Sequence, residues 1–400
     1  MPTALKPIFK TRIERETYQI GGIEVCLDKG KVIAGRLSAP IAEIELELKD
    51  GDRSARFALA RQISTIVPAE LSVTSKSERG YDLVGRTKRQ AVMAQHAILP
   101  PFATVPEAFQ FICSECLYHL IANKSGVRAL APEALHQTRV ALRRFDTALK
   151  LFRQIASGPE AKRVARELKW LGDELARARE LDVFLTDVLV PLRKNRPSDP
   201  GVAEVHRACI QQRKMEYGRA NAALASRRFR AFLLNAAEWI HAGKWQAMAR
   251  SPLKRKQLAK VLVSERLSKL RSRMKTGRQI GKLDLRGLHK LRLRAKRMRY
   301  TIEFARSLYD KKSNRKCIER VLKDLGKLQS ALGNLNDIAS RKSIVERIVA
   351  ERKDSRKDKP GTTSRLVAMI SGDQKKQKSK QLDKAAKAFD KLENIKPFWT

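Results

Sequence analysis

One stretch of this chain occurs twice. LHQTRVALRRF at 135–145 returns as LHKLRLRAKRM at 288–298, and each copy is followed by a related segment, LKWLGDELARARELDV from Leu168 and LGKLQSALGNLNDIA from Leu325. A repeat of this kind restricts the fold to related modules packed on one another. From Ala108 onward the apolar spacing is helical. It is punctuated by Ser157-Gly158-Pro159, Arg196-Pro197-Ser198-Asp199-Pro200-Gly201, Gly243, Pro252 and Lys359-Pro360-Gly361. Helices joined at such breaks predict antiparallel bundles, one of roughly four helices in each half.

On a helical wheel the first copy places His136, Arg139, Arg143, Thr147 and Lys150 in one stripe, opposite Ala141, Phe145, Ala148, Leu149 and Phe152. The second copy sets His289, Arg292, Lys296 and Arg299 against Leu291, Ala295, Met298 and Ile302. Like charges four residues apart, such as Arg139 and Arg143, cost about 0.3 kcal/mol in an isolated helix, and a bound anion removes that cost. Intrahelical ion pairs do not account for the excess. Between Ser251 and Tyr300 stand 18 Lys and Arg with only Glu265 and Asp284 against them. The whole chain carries a formal charge of +42, concentrated beyond residue 90. Such a balance predicts an anionic partner, and the mixture of forked Arg donors and mobile Lys charges suits repeated phosphate groups.

Other classes are disfavoured. No apolar run reaches the roughly 18 residues of a membrane span, and no secretory leader is legible, so a cytoplasmic protein without a membrane partner is expected. The five cysteines are an odd, scattered set and do not form a secreted disulfide framework. Cys113 and Cys116 lie in an apolar helical run with no second pair to complete a zinc site, which predicts core packing. No two of the six histidines lie three or four residues apart. His136 and His289 are therefore read as partly protonated hydrogen-bonding groups beside the arginines, their pKa lowered by those cations and raised by a polyanion.

The first 90 residues differ in kind. IEVCLDKGKVIAG predicts a hairpin around Asp28-Lys29-Gly30, and the strand from Ile41 to Lys49 alternates, with Glu43, Glu45 and Glu47 on one face and Ile44, Leu46 and Leu48 on the other. A helix is expected over 53–67. Gly85, a basic cluster, and Pro100, Pro101 and Pro106 mark a boundary. The predicted organisation is 1–84, a linker over 85–106, and a helical domain over 107–395 with halves at about 107–250 and 251–395.

The motif His136-x-x-Arg139-Val140-x-x-Arg143-Arg144 with LARARELDV, and His289-x-x-Arg292-x-x-x-Lys296-Arg297-x-Arg299-Tyr300 with LGNLNDIA, resembles the CHAD domain. Glu180 and Ala176 depart from the usual Asp and Gly of that motif. The resemblance implies a mainly α fold of duplicated antiparallel four-helix bundles, with inorganic polyphosphate bound on the basic surface between them. Its contacts would be His136, Arg139, Arg143, Arg144, His289, Arg292, Lys296, Arg297 and Arg299. IEVCLDKG, PIAEIELELKDGD and Ser75 to Tyr81 resemble the later part of a CYTH domain, the triphosphate-tunnel fold, which adds a small N-terminal α+β sheet. There Glu43, Glu45 and Glu47 would hold Mg²⁺ or Mn²⁺, with Arg15, Arg36, Lys76 and Arg79 available to phosphates. The family's catalytic ExExK strand belongs at the start of a complete CYTH domain, and the chain is expected to begin after it. A binding protein without catalysis is thus expected. The alternatives are a metal-dependent inorganic triphosphatase and a general polyanion or nucleic-acid binder. Nucleic acid is the weaker partner, because aromatic residues are 6% of the chain and no stacking platform accompanies the basic run.

Overall fold

Two glycines shape the N-terminal sheet. In the computed structural model, which describes residues 7–85, 91–246, 258–350, 368–369 and 374–399, Gly21 and Gly35 take φ of 61° and 57°. A side chain is strained in that region, so glycine lets each close a two-residue turn. The three strands β1 (Lys10–Ile20), β2 (Ile23–Ala34) and β3 (Leu37–Leu48) form an antiparallel sheet in that order. The hairpin expected at Asp28-Lys29-Gly30 is therefore corrected: β2 runs straight through those residues. Gly30 serves a close approach instead, since a Cβ there would lie 2.0 Å from the Arg12 carbonyl oxygen of β1.

Helix α1 (Arg53–Ile66) starts at Asp52, which accepts from the Ser54 amide at 3.1 Å, a normal N-cap. With α2 (Lys76–Gly85) it packs on the sheet. The sheet is anchored to the helical body through Phe57, which joins the main core, and through the Arg61–Glu238 pair.

The body comprises α3 (Val105–Ala122), α4 (Lys124–Arg128), α5 (Pro132–Leu151), α6 (Pro159–Glu174), α7 (Ala176–Phe184), a π turn (Leu185–Leu189), α8 (Val190–Asn195), α9 (Pro200–Ala225), α10 (Arg227–Ala242), α11 (Ala259–Met274), α12 (Leu285–Ala305), α13 (Lys312–Ala350) and α14 (Gln374–Glu393). Pro159 and Pro200 open helices, where a missing N–H costs nothing. Pro252 and Lys359-Pro360-Gly361 lie outside the described residues. The segments after the two repeated stretches differ. α13 runs as one helix of 39 residues through Gly326 and Gly333, whereas the earlier counterpart breaks at Leu175 between α6 and α7.

One large core holds Phe109, Phe145, Phe152, Phe229, Trp239, Phe304 and Trp399. A smaller one joins Leu181 and Phe184 to Val202, Cys209, Ile344 and Val345. Cys113 and Cys116 are buried, unpaired thiols in α3. Among the described residues no helix is long and apolar enough to cross a membrane.

Part of the stretch read as a linker is built into this body. Ala97, Leu99 and Ala103 are buried in the main core. The Leu99 amide donates to Ser307 Oγ at 2.9 Å, and the Val92 carbonyl accepts from Asn123 Nδ2 and His119 Nε2 at 2.9 and 3.0 Å. Residues 91–104 thus form a strap held to α3, to α5 and to the turn at Ser307 that follows α12.

Candidate functional site

The apolar faces of α5 and α12 settle where their cations point. Ala141, Phe145 and Ala148 on one helix and Leu291, Ala295 and Met298 on the other are buried, so the basic stripes are left to line a cleft of about 870 Å³. His136, Arg139 and Arg143 enter it from α5, Arg292 and Lys296 from α12. Arg177 and Arg179 of α7, Arg341 of α13, and Lys380 and Lys384 of α14 complete the cationic lining. The π turn contributes Asp187, and the smaller core supplies Phe184 and Ile344 beneath it.

Arg177 pairs with Glu216 at 3.2 Å, but the acids present do not neutralise the rest of this set. Glu180 accepts from Arg347 at 2.6 Å, so its longer side chain still fixes an arginine. Burial raises the Asp337 pKa, against the pull of Arg292. The Nε–H groups of Arg143, Arg292 and Arg341 are buried without a hydrogen-bond partner. Leaving such a donor unmet costs roughly 1–3 kcal/mol, more when charged. Arg139 is steadied by donating to the Gly172 carbonyl at 2.6 Å.

Burial also reshapes the titration. It pushes Lys296 down to about 6, helped by Arg143 and Arg292, and His136 down to about 4, helped by Arg179. Arg139 falls to about 10 for the same reason, with Arg143 next. At neutral pH the unliganded cleft therefore holds a neutral His136, in place of the partial protonation expected from the sequence, and a mostly uncharged Lys296.

Five of the nine expected positions converge here. Arg144 does not: it is buried, donates to Glu303 at 2.7 Å and to the Gln95 carbonyl of the strap at 3.3 Å, and lies over the Phe304 ring. Arg299 pairs with the same Glu303 at 2.7 Å. Arg297 lines a different groove, and His289 is exposed in the first turn of α12. The wheel separates faces but not the two flanks of a face, and a core acid such as Glu303 redirects its neighbours. The sequence reading did not name Arg177 and Arg179, although LARARELDV contains them. Their matches in the second copy, Asn334 and Asn336, line the same cleft. Arg341, Lys380 and Lys384 lie outside the repeated motifs and had no local signal.

On the sheet, ligand atoms of Asp28, Glu43 and Glu45 lie within 4.8 Å of one another. Asp28 replaces Glu47 in this group, because Glu47 is exposed and paired with Lys49 at 3.0 Å. Hard carboxylate oxygens suit Mg²⁺ or Mn²⁺. Here, however, the Lys76 ammonium stands among them, 2.7, 2.9 and 2.6 Å from Asp28, Glu43 and Glu45. Arg15 holds the Asp28 carboxyl well below the usual range and also reaches Glu45 at 2.8 Å, while Arg79 meets Glu43 at 2.5 Å. The donors fit a divalent cation only with Lys76 withdrawn. Arg15, Lys76 and Arg79, expected to meet phosphates, are engaged by these acids; Arg36 sits exposed in the β2–β3 turn.

A mostly helical body with a cationic cleft, preceded by a small three-stranded antiparallel sheet, is the class of structure these elements define. The chain belongs to the CHAD domain family, whose model matches residues 112–346, and a CYTH domain model matches residues 2–81. The CHAD domain from the plant Ricinus communis superposes with a TM-score of 0.64 at 26% identity, covering 77% of this chain and 98% of that one. PptA from Streptomyces chartreusis, at 15% identity and a TM-score of 0.50 over 72% of this chain and 100% of its own, shares the fold. An inorganic triphosphatase of Haemophilus influenzae is 39% identical over 83 residues, 20% of this chain; the chain spans 24% of that relative's length.

Proposed function

We propose that the chain binds inorganic polyphosphate in the cleft between α5 and α12, with Arg139, Arg143, Arg292 and Lys296 as the main contacts and His136 beside them. The observation that carries this reading is the set of buried Nε–H donors without an acceptor at Arg143, Arg292 and Arg341, the last of which donates only through its terminal nitrogen, to Gln377 at 2.9 Å. Phosphate oxygens supply an acceptor at every unit of the chain, and Arg177, Arg179, Lys380 and Lys384 extend the run of cations past these donors. Arg144 and Arg299 keep a structural role at Glu303, and Arg297 belongs to another surface. Triphosphate hydrolysis on the sheet, with Mg²⁺ or Mn²⁺ at Asp28, Glu43 and Glu45, is the second reading. The 83-residue similarity supports it, and the position of Lys76 opposes it.

The test is a competition titration at about 0.15 M salt, where the screening length is about 8 Å. Single-stranded DNA of equal total charge should displace labelled polyphosphate less well than unlabelled polyphosphate does, because diffuse attraction fades there while paired hydrogen bonds persist. If about 5 to 8 phosphates are neutralised, log affinity should fall against log salt with a slope of roughly −3.5 to −5.5, taking the single-strand coefficient. Equal displacement, charge for charge, would reduce the claim to general polyanion binding.

The titration shifts give a second expectation. Lys296 is mostly uncharged near pH 7.5 in the free protein, and adjacent phosphates favour its ammonium form. Binding should take up about one proton near pH 7.5, so affinity rises as pH falls, through Lys296 down to about 6 and through His136 below that. Calorimetry at pH 7.5 in buffers of different ionisation enthalpy measures the uptake, and Lys296→Met should abolish it. Without ligand, the unfolded lysine binds a proton that the folded one does not between about pH 6 and 10.5, so this residue adds stability as pH rises across that window.

A further inference from the structure

The alignment of 135–145 with 288–298 also matches Arg144 with Arg297 and Lys150 with Glu303. One of the two cross-helix combinations is an ion pair: Arg144 of α5 donates to Glu303 of α12 at 2.7 Å, under the strap at Gln95. The reciprocal combination, Arg297 of α12 with Lys150 of α5, has two cations and no acid. Both line a groove of about 520 Å³ that shares no lining residue with the cleft. The nearest pair of lining residues on α5, Arg143 in the cleft and Asp146 in the groove, is about one helical turn apart.

The rest of the groove adds to the imbalance. Arg153 follows α5, Lys162 comes from α6, and Arg266, Lys269 and Arg273 come from α11. Asp146 is the one carboxylate among the described lining residues, and it is engaged by Lys150. Among the described residues no carboxylate pairs with the other six cations. Arg266 has a buried Nε–H without a hydrogen-bond partner, the same unmet donor that marks the cleft. Lys150, Arg153, Lys162, Lys269 and Arg273 are exposed, whereas Arg266 and Arg297 are half-buried, so the groove holds one partly desolvated guanidinium donor with no acceptor among solvated cations.

We propose that this groove is a second phosphate site, separate from the cleft, which takes a short run of linked phosphates. Only the choice of ligand rests on the reading of the cleft; the site itself rests on the lost ion pair and the unmet Arg266 donor. An oligophosphate placed there would give Lys150 and Arg297 the shared anion that Glu303 gives Arg144 and Arg299.

Calorimetric titration of the full chain with tripolyphosphate at about 0.15 M salt is expected to resolve two sites. Lys150→Glu supplies Arg297 with the carboxylate that Arg144 already has. It should weaken one site by at least about tenfold, one decade of affinity, while leaving the other unchanged, and because it breaks only the exposed Lys150–Asp146 pair the melting temperature should fall only slightly. Lys269→Gln with Arg273→Gln, away from that pair, should weaken the same site and guards against misfolding of the first variant. Arg139→Glu with Arg292→Glu should remove the remaining site. A single wild-type site lost only with the cleft variant would overturn the groove and leave the proposed function standing. A single site lost only with the groove variants would instead overturn the cleft. Two sites that both survive the groove variants would overturn the assignment to this groove.

Discussion

Reversing two charges, Arg139→Glu and Arg292→Glu, should weaken polyphosphate binding by roughly 10²- to 10⁴-fold. Each guanidinium donates a charge-assisted hydrogen bond worth about 1.5–3 kcal/mol, and a factor of ten in affinity is about 1.4 kcal/mol. The fold should survive, because both residues are desolvated among like charges in the unliganded cleft, where a glutamate gains partners. Reversing Lys376 and Lys378, exposed on α14, adds the same formal charge change and should cost less than about tenfold. Fluorescence anisotropy with a labelled polyphosphate separates the cases. Losses of equal size from the two pairs would mean long-range attraction without a built site.

The largest stability effect should come from Arg144, which the sequence placed with the ligand contacts. Its ion pair with Glu303 is nearly enclosed, with side-chain exposures of 6% and 11%. Removing Arg144 leaves the buried Glu303 with only the half-exposed Arg299 and should cost about 3 kcal/mol, the lower end for breaking a buried pair, whereas replacing both with apolar groups of similar volume is often close to neutral. Arg144→Met should therefore lower the urea midpoint sharply, and Arg144→Met with Glu303→Met should recover most of the loss. Polyphosphate affinity of the folded fraction should change little. A loss under about 1 kcal/mol for the single variant would show that water reaches the pair.

The contrast between Arg144 and Arg143 shows what the sequence made legible. Spacing at 100° per residue identified both helices, their apolar faces and the five cleft residues, because burial of Phe145 or Met298 leaves few choices for the opposite side. It could not divide neighbours such as Lys296 and Arg297, which differ by one step on the wheel and end in two different cavities. Those assignments depend on what the second helix presents, and Glu303 lies 159 residues from Arg144. In the sheet, Asp28-Lys29-Gly30 has turn composition, yet Gly21 and Gly35 already provide both reversals, and pairing along β2 fixed the rest. Lys76 could be quoted as a phosphate ligand from its surroundings in sequence. Its place among three carboxylates required the fold.

The strap over residues 91–104 has a consequence for how the molecule comes off the ribosome. Its anchor at Leu99 closes on Ser307, 208 residues later. At about 5–20 residues per second of synthesis, the strap waits roughly 10 to 40 s for its partner. Through that interval Ala97, Leu99 and Ala103 lack the turn at Ser307 that completes their seat, while α3 and α5 already have each other. The N-terminal sheet can fold early and pair through Arg61 once Glu238 has emerged, so the strap closes last, and nascent chains halted before Ser307 are the species that chaperones would have to shield.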